Sequence, residues 1–269
     1  SVKIGVLTQG SIRTQKAPGT YSRAANAVTG SYERDFDINP FSYALNTTRA
    51  LRPYGDDGKY EFYRYNYAPM NILHELANNY MDLNVLEYKI QGDLEVKLAK
   101  GLKYNFLGSV RHVKSSNEHS MREDSNVAGA YRANQTTVVT KANPFLFTDP
   151  ADPDALPQVA LPNGGIYKLT QNNLESYYLR NALEYNKTLK DADMQDVHDF
   201  KVFLGQEFRY TDRDNQYFEG YGYQFSGGGV VFTDPLMLQK VVDDNSQYFG
   251  NSFSRERGVA FFSQGSYGY

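Results

Sequence analysis

The chain has 269 residues with no cysteine and no tryptophan, yet 23 tyrosines and 16 phenylalanines, and its 41% hydrophobic and 22% charged content excludes most disordered and low-complexity classes. A net charge of -3, from 28 basic and 31 acidic residues, offers no global field for nucleic acid or an anionic membrane surface. The missing cysteines exclude a disulfide scaffold, a thiolate zinc site and a cysteine nucleophile.

Ser1 to Gly10 carry no initiator methionine, basic segment or apolar segment of the kind that makes a signal peptide. The longest strictly apolar runs are about four residues, such as Val259 to Phe262, whereas a membrane helix needs ~20. This excludes a helical membrane protein but not a membrane β-barrel, whose alternating strands average to the hydropathy of a soluble protein.

A period of two dominates the chain. Val2, Ile4 and Val6 alternate with Lys3, Gly5, Leu7 and Gln9. From Asn84 to Leu98 one register reads Leu86, Tyr88, Ile90, Gly92, Leu94, Val96 and the other Glu87, Lys89, Gln91, Asp93, Glu95, Lys97. After a turn at Ala99, Lys100 and Gly101 the pattern resumes, with Leu102, Tyr104, Phe106, Gly108 and Val110 against Lys103, Asn105, Leu107, Ser109 and Arg111, which predicts a tight hairpin. A second hairpin sets Tyr177, Leu179, Asn181, Leu183 and Tyr185 against Tyr178, Arg180, Ala182 and Glu184. It turns within Lys187 to Asp196 and returns with Phe200, Val202, Leu204, Phe208 and Tyr210 against Asp199, Lys201, Gly205, Glu207 and Arg209. Val259, Phe261, Tyr267 and Tyr269 against Gln264, Ser266 and Gly268 complete six expected strands.

The connections between these strands are unequal in a regular way. Roughly 70, nearly 60 and more than 40 residues join strands one to two, three to four and five to six, while the intervening turns are short. Long loops at one end and short turns at the other are the layout of an outer-membrane barrel. The charged register needs water and the apolar register meets lipid, with Tyr177 and Tyr185 at the two headgroup levels. Six strands cannot close a barrel, and an open edge is not tolerated in hydrocarbon. The chain is therefore expected to be an interior piece of a larger barrel, beginning and ending within strand patterns.

The first long connection, Thr14 to Asp82, holds a turn at Pro53 to Gly58. A short helix is predicted from Asn71 to Tyr80, capped by Asn71, with Leu73, Leu76 and Tyr80 on one face. The words Asn39-Pro40-Phe41, Tyr67-Ala68-Pro69, Asn71-Ile72-Leu73, Glu75-Leu76, Asn78-Asn79-Tyr80 and Asp82-Leu83-Asn84, followed by the two-faced hairpin, resemble the mid-barrel of the SusC/RagA family of TonB-dependent outer-membrane transporters. The resemblance spans the whole chain in layout, while its specific words lie mainly between Asn39 and Gly101.

That resemblance implies an all-β, antiparallel 22-stranded barrel around a plug, in the outer membrane of a Gram-negative bacterium. It also implies a SusD-like surface lipoprotein as lid, TonB as energy source, and import of oligosaccharides or peptides. The implied partners are the remaining barrel and plug segments, that lipoprotein, TonB, the solute and outer-membrane lipid. No plug, TonB box or C-terminal strand is found in this sequence, so residue roles belonging to those parts are not carried over.

Chemical motifs fail. His74-Glu75 begins like a zinc-protease helix, but Asn78 stands where the second histidine belongs. Gly227 to Gly229 lack the Lys-Ser/Thr of a phosphate loop. Asp149, Asp152 and Asp154 lack the glycine and glutamate of a calcium loop, and no nucleophile elbow or triad is found. The reading is a non-enzyme with no cofactor and no metal. One stretch expected as a loop, Asp212 to Phe225, mixes rings with hydrogen-bonding groups as sugars and peptides require. Arg213, Asn215, Tyr217, Tyr221 and Tyr223 are its candidate substrate-binding residues, the alternative being that its tyrosines pack the external loops against one another or form the upper aromatic girdle. The rival reading is a soluble, secreted β-sandwich that binds carbohydrate or protein through its long loops. The two part on whether the apolar register lies bare or beneath a second layer of protein.

Overall fold

The computed structural model describes residues 1–19, 21–22, 34–36, 38–190 and 196–269, with side chains for 1–19, 38–189 and 198–269. Its elements in order are β1 (Val2–Pro18), β2 (Tyr21–Ser22), β3 (Arg34–Phe36), α1 (Pro40–Asn46), β4 (Tyr63–Tyr65), β5 (Ala68–Met70), α2 (Ile72–Asn78), β6 (Asn79–Ala99), β7 (Leu102–Met121), α3 (Asn126–Ala130), α4 (Thr137–Ala142), β8 (Gly165–Lys190), β9 (Asp196–Gln224), β10 (Val230–Val231), α5 (Pro235–Asp243) and β11 (Phe249–Gly268). β1, β6, β7, β8, β9 and β11 lie side by side in that order, every pair antiparallel, in a sheet that curls into half a barrel.

The register follows from the alternation. Ile4, Leu94 and Phe106 face one another across three strands, and Asp93, Leu107, Arg180 and Glu207 form a parallel row on the opposite face. The apolar register lies bare: Leu86, Tyr88 and Ile90 are 43%, 44% and 52% exposed. Glu87, Lys89 and Gln91 between them are more sheltered. On β8, likewise, Tyr177, Leu179 and Leu183 stand out while Arg180 is half-buried and Ala182 is buried. Curling a sheet gathers side chains on its concave face and spreads those on its convex face, so the charged register is concave and the apolar one convex. Among the described residues no second sheet covers the apolar face, which removes the ground for a sandwich.

Two features depart from the alternation. Asn181 and Gln206 oppose each other within the otherwise apolar convex register, and the Tyr104 hydroxyl donates to Asn181 Oδ1 at 2.6 Å. The strands also outrun the apolar register. They span 17 to 29 residues, so β1 continues past Gln9 to Pro18. The long connections shorten to residues 19–78, 122–164 and 225–248. They still share one end, opposite the tight turn between β6 and β7; the turn expected within Lys187 to Asp196 falls partly outside the described residues.

The helix predicted from Asn71 to Tyr80 forms over Ile72–Asn78, with the Asn71 side chain accepting from the Leu73 and His74 amides. Asn79 is already extended and pairs with Met121, so Tyr80 belongs to β6 and lies under Lys16 Nζ, 3.8 Å from its ring centroid.

Two rows of rings cross the convex face. Tyr88 stacks on His112 at 5.1 Å and Tyr177 lies 5.8 Å from Tyr210. Toward the tight-turn end, Tyr185 stands level with Leu102 and Val202, and Phe200 and His198 lie 5.0 and 5.8 Å from Tyr267. The rows are eight residues apart on β8, about 26 Å along the strand and ~20 Å in height once tilt is allowed for. Beyond Tyr177 the convex register becomes Glu175, Asn173 and Gln171.

Candidate functional site

The concave face and its loop-bearing end carry the polar chemistry. Near mid-strand, Arg111 Nε donates to Glu87 Oε1 at 2.8 Å and Lys3 pairs with Glu95 at 3.2 Å. Such pairs add little stability but keep the face hydrophilic. Asp93 is exposed on this face and makes no ion pair among the described residues, so Asp93→Asn is expected to leave the folded fraction unchanged in a denaturant titration.

Higher on the same face, a polar row crosses four strands. Asn79 Oδ1 meets His119 Nε2 at 2.7 Å, His119 stands opposite Lys168, Lys168 pairs with Glu219, and the Tyr217 hydroxyl donates to Glu219 Oε2 at 2.6 Å. His119 and Glu219 are buried, so each depends on these partners.

Asp212 to Gln224 is not a loop but the upper part of β9, paired with both β8 and β11 over most of its length. Backbone pairing persists there although both registers are polar. Arg213, Asn215 and Tyr217 share the concave face, with Arg213 3.6 Å from Glu256. Tyr221 starts from that register but is 5% exposed, packed among Met121, Ile166 and Val127. Tyr223 leaves the face altogether. Gly222 takes φ +75 at a register shift, and a Cβ there would lie 2.2 Å from the Phe232 carbonyl oxygen, so only glycine is accommodated. The shift turns the Tyr223 ring onto Tyr167, 4.7 Å away in the convex register, and against Phe225 at 4.6 Å. Arg213, Asn215 and Tyr217 thus remain together, while Tyr221 is core and Tyr223 belongs to the other side.

Sequence reasoning missed the organisation of the connecting segments. Residues 122–164 and 225–248 fold onto the strand ends as one core containing Met121, Val127, Phe147, Leu161, Ile166, Met237 and Val241. The Arg132 guanidinium fastens it, donating to the carbonyls of Leu161 (3.0 Å), Glu123 (2.9 Å) and Gly164. Removing this clamp with Arg132→Ala leaves three carbonyls without their donor and is expected to raise proteolytic cleavage within 122–164 without releasing the strands.

A second junction joins α2 to α3. Glu75 is fully buried, its Oε1 accepting the Asn126 amide at 2.7 Å while Oε2 has no partner among the described residues. Burial pushes this carboxyl up to about 7. The Asn126 side-chain amide in turn donates to the carbonyls of Tyr65, Ala68 and Pro69. Nearby, Tyr54, Tyr60, Phe62 and His74 form a chain of ring contacts at 5.3 to 6.4 Å, its tyrosines and phenylalanine exposed.

The discarded motifs take structural roles. His74 Nε2 contacts the Asn78 amide at 3.2 Å, Gly228 and Gly229 turn at positive φ, and Asp149 Oδ1 accepts the Ala151 amide. Among the described residues no group of three His, Asp or Glu is placed to hold a metal. No described helix is long and apolar enough to cross a membrane, which says nothing of crossing by strands.

No protein-family model and no curated protein matches the sequence. Among solved structures the chain is similar to the RagAB peptide transporter, with TM-score 0.62 and 15% identity over 100% of this chain and 24% of that one. It is similar also to the RagAB peptide importer in its closed-closed state (TM-score 0.58, 15% identity) and its open-open state (0.56, 14%), over the same shares. The chain thus spans about a quarter of the length of these chains. The likeness establishes the fold, an all-β antiparallel barrel segment.

Proposed function

We propose that this chain is part of the barrel wall of a SusC-like, TonB-dependent importer in the outer membrane of a Gram-negative bacterium. In this reading it helps to take up oligosaccharides or peptides together with a SusD-like lipoprotein. The observation that carries the reading is an inversion of exposure along β6 and β8: Leu86, Ile90, Leu179 and Leu183 stand bare on the convex face while Glu87, Lys89, Gln91 and Arg180 between them are more sheltered on the concave one. A water-soluble protein loses stability by exposing such a band, whereas acyl chains solvate it. The two aromatic rows frame the band at headgroup spacing. Among the described residues β1 and β11 each pair on one side only, so in hydrocarbon their free edges would require further strands of a cylinder.

Transport then needs no bond chemistry from these residues. The concave wall supplies a hydrated surface, and Arg213, Asn215 and Tyr217 stand near its mouth, where a solute first meets fixed hydrogen-bonding groups. The plug, the TonB contact and the lid would lie in other parts of the assembly. The RagAB structures are of a peptide transporter, which favours peptides among the candidate solutes.

The test is single-cysteine labelling of the full-length protein in native membranes. Lys89→Cys is expected to react with a water-soluble maleimide and Ile90→Cys with a lipid-phase reagent instead. Equal labelling of the two neighbours by the aqueous reagent would overturn the membrane assignment. Uptake assays with Tyr217→Ala and Arg213→Ala, expected to lower capture at limiting solute while leaving barrel assembly intact, address the mouth separately.

A further inference from the structure

Low on the concave face the wall contains a built feature that the hydrated-surface role does not explain. Arg180 lies over the adjacent rings of Phe262 and Phe203, its guanidinium carbon 5.0 and 5.9 Å from their centroids, and the two rings are themselves 5.5 Å apart. This arrangement depends on a missing side chain. A Cβ on Gly205, the residue opposite Phe262 on the neighbouring strand, would fall 2.2 Å from the Phe262 ring, so glycine there allows the ring to lie across β9. Ala182 is buried beside it, and together the small residues leave a hollow of about 280 Å³ lined by Asp93, Glu95, Asn105, Leu107, Arg180 and Phe203.

The guanidinium held over this hollow has the Glu207 carboxylate near enough to feel its charge, but keeps its N–H groups unused. Among the described residues no hydrogen bond or ion pair engages Arg180. The acid directly opposite, Glu207, is occupied by the Tyr178 hydroxyl at 2.5 Å and by Arg209 at 3.6 Å. Cation–π contact with the two rings restrains the long side chain without using its N–H groups, which leaves the fork available to a ligand. A planar fork of donors matches one partner best: an ionised carboxylate, bound through two parallel hydrogen bonds.

We propose that Arg180, shelved on Phe203 and Phe262, is a carboxylate anchor on the wall of the pore. The proposal rests on the concave face being a lumen. Its occupant is a carboxylate presented from inside that lumen, either by a solute in transit or by an acidic side chain of a protein segment filling the pore. Leu107 and Phe203 beside the fork suit the apolar carbon next to such a group.

The experiment uses the full-length protein in nanodiscs, with N-acetyl-trialanine and its C-terminal amide as probes, in wild type, Arg180→Met and Gly205→Ala. If solute carboxylates are the occupant, the free acid binds about tenfold more tightly than the amide. Arg180→Met removes that preference without changing amide binding, and Gly205→Ala, which displaces the Phe262 ring, weakens it. If the carboxylate belongs to a protein segment, the two probes bind alike, but Arg180→Met raises the frequency of ion-conducting openings in planar bilayers. Equal binding of acid and amide together with unchanged conductance overturns the anchor. Cysteine labelling at positions 89 and 90 reads the lumen assignment independently: if that labelling holds and the Arg180 variants are silent, the anchor alone falls.

Discussion

Leu94→Arg is expected to lower folding stability in lipid by about 2–4 kcal/mol if Leu94 faces acyl chains as proposed, the range for a cation placed near the bilayer midplane on the lipid face of a barrel. Leu94 stands level with Ile4 and Phe106, between the two aromatic rows, where the nearest headgroup lies several residues away along the strand. An arginine there could snorkel only part of that distance. The neighbouring residue supplies the control, since Asp93 projects from the same backbone to the opposite face. Refolding into lipid vesicles across a denaturant series measures both. A large loss for Leu94→Arg with none for Asp93→Asn is the expected result, and equal losses would contradict the assigned faces.

The second large effect concerns pH and the junction of α2 with α3. Glu75 carries an ordinary carboxyl in the unfolded chain, at 4.5, but burial raises it to about 7 in the fold. Between those values the folded state holds a proton that the unfolded state has lost, so the junction loses stability as pH rises from 4.5 to about 7 and changes little beyond. The span corresponds to about 3 kcal/mol. No lysine or arginine pairs with Glu75 among the described residues; His74 lies 3.8 Å from Oε1, and Tyr63 is close enough for its own ionisation to be opposed by the carboxylate. Amide hydrogen exchange over residues 72–78 and 126–130, corrected for intrinsic rates, should therefore show protection falling across this window. Glu75→Gln keeps the acceptor for the Asn126 amide but cannot ionise, so its protection should stay level and exceed that of wild type above pH 7. The same slope in both proteins would exclude Glu75 as the cause.

What the sequence discloses here depends on how local the cause is. The alternation from Leu86 to Lys97 is written into adjacent residues, and it specifies the strand, its two faces and its pairing register at once. The Asn71 cap is equally local, needing only the Leu73 and His74 amides. The upper strand segments are different. Around Asn172, Asn173, Asn215 and Gln216 both registers are polar, so hydropathy loses its contrast while backbone pairing continues. Arg213, Asn215 and Tyr217 were legible as a group, but Tyr223 was separated from them by the backbone at Gly222 rather than by its own chemistry. The Glu75 to Asn126 contact joins residues 51 apart in sequence, and neither carries a local signal of it. The loop core assembled around Arg132 escapes for the same reason.

The overlong strands set a height. From Tyr177 in the upper aromatic row to Gly165, the start of β8, are twelve residues, roughly 40 Å along the strand and ~30 Å of rise once tilt is included. If the convex band sits in lipid as proposed, the folded cap stands on a chimney well clear of the lipid surface. In that proposed arrangement a lipid-tethered lid would have to be comparably tall, or carry a spacer of similar reach, to touch that rim. In the same arrangement, proteases and antibodies working from outside would meet the cap long before the bilayer.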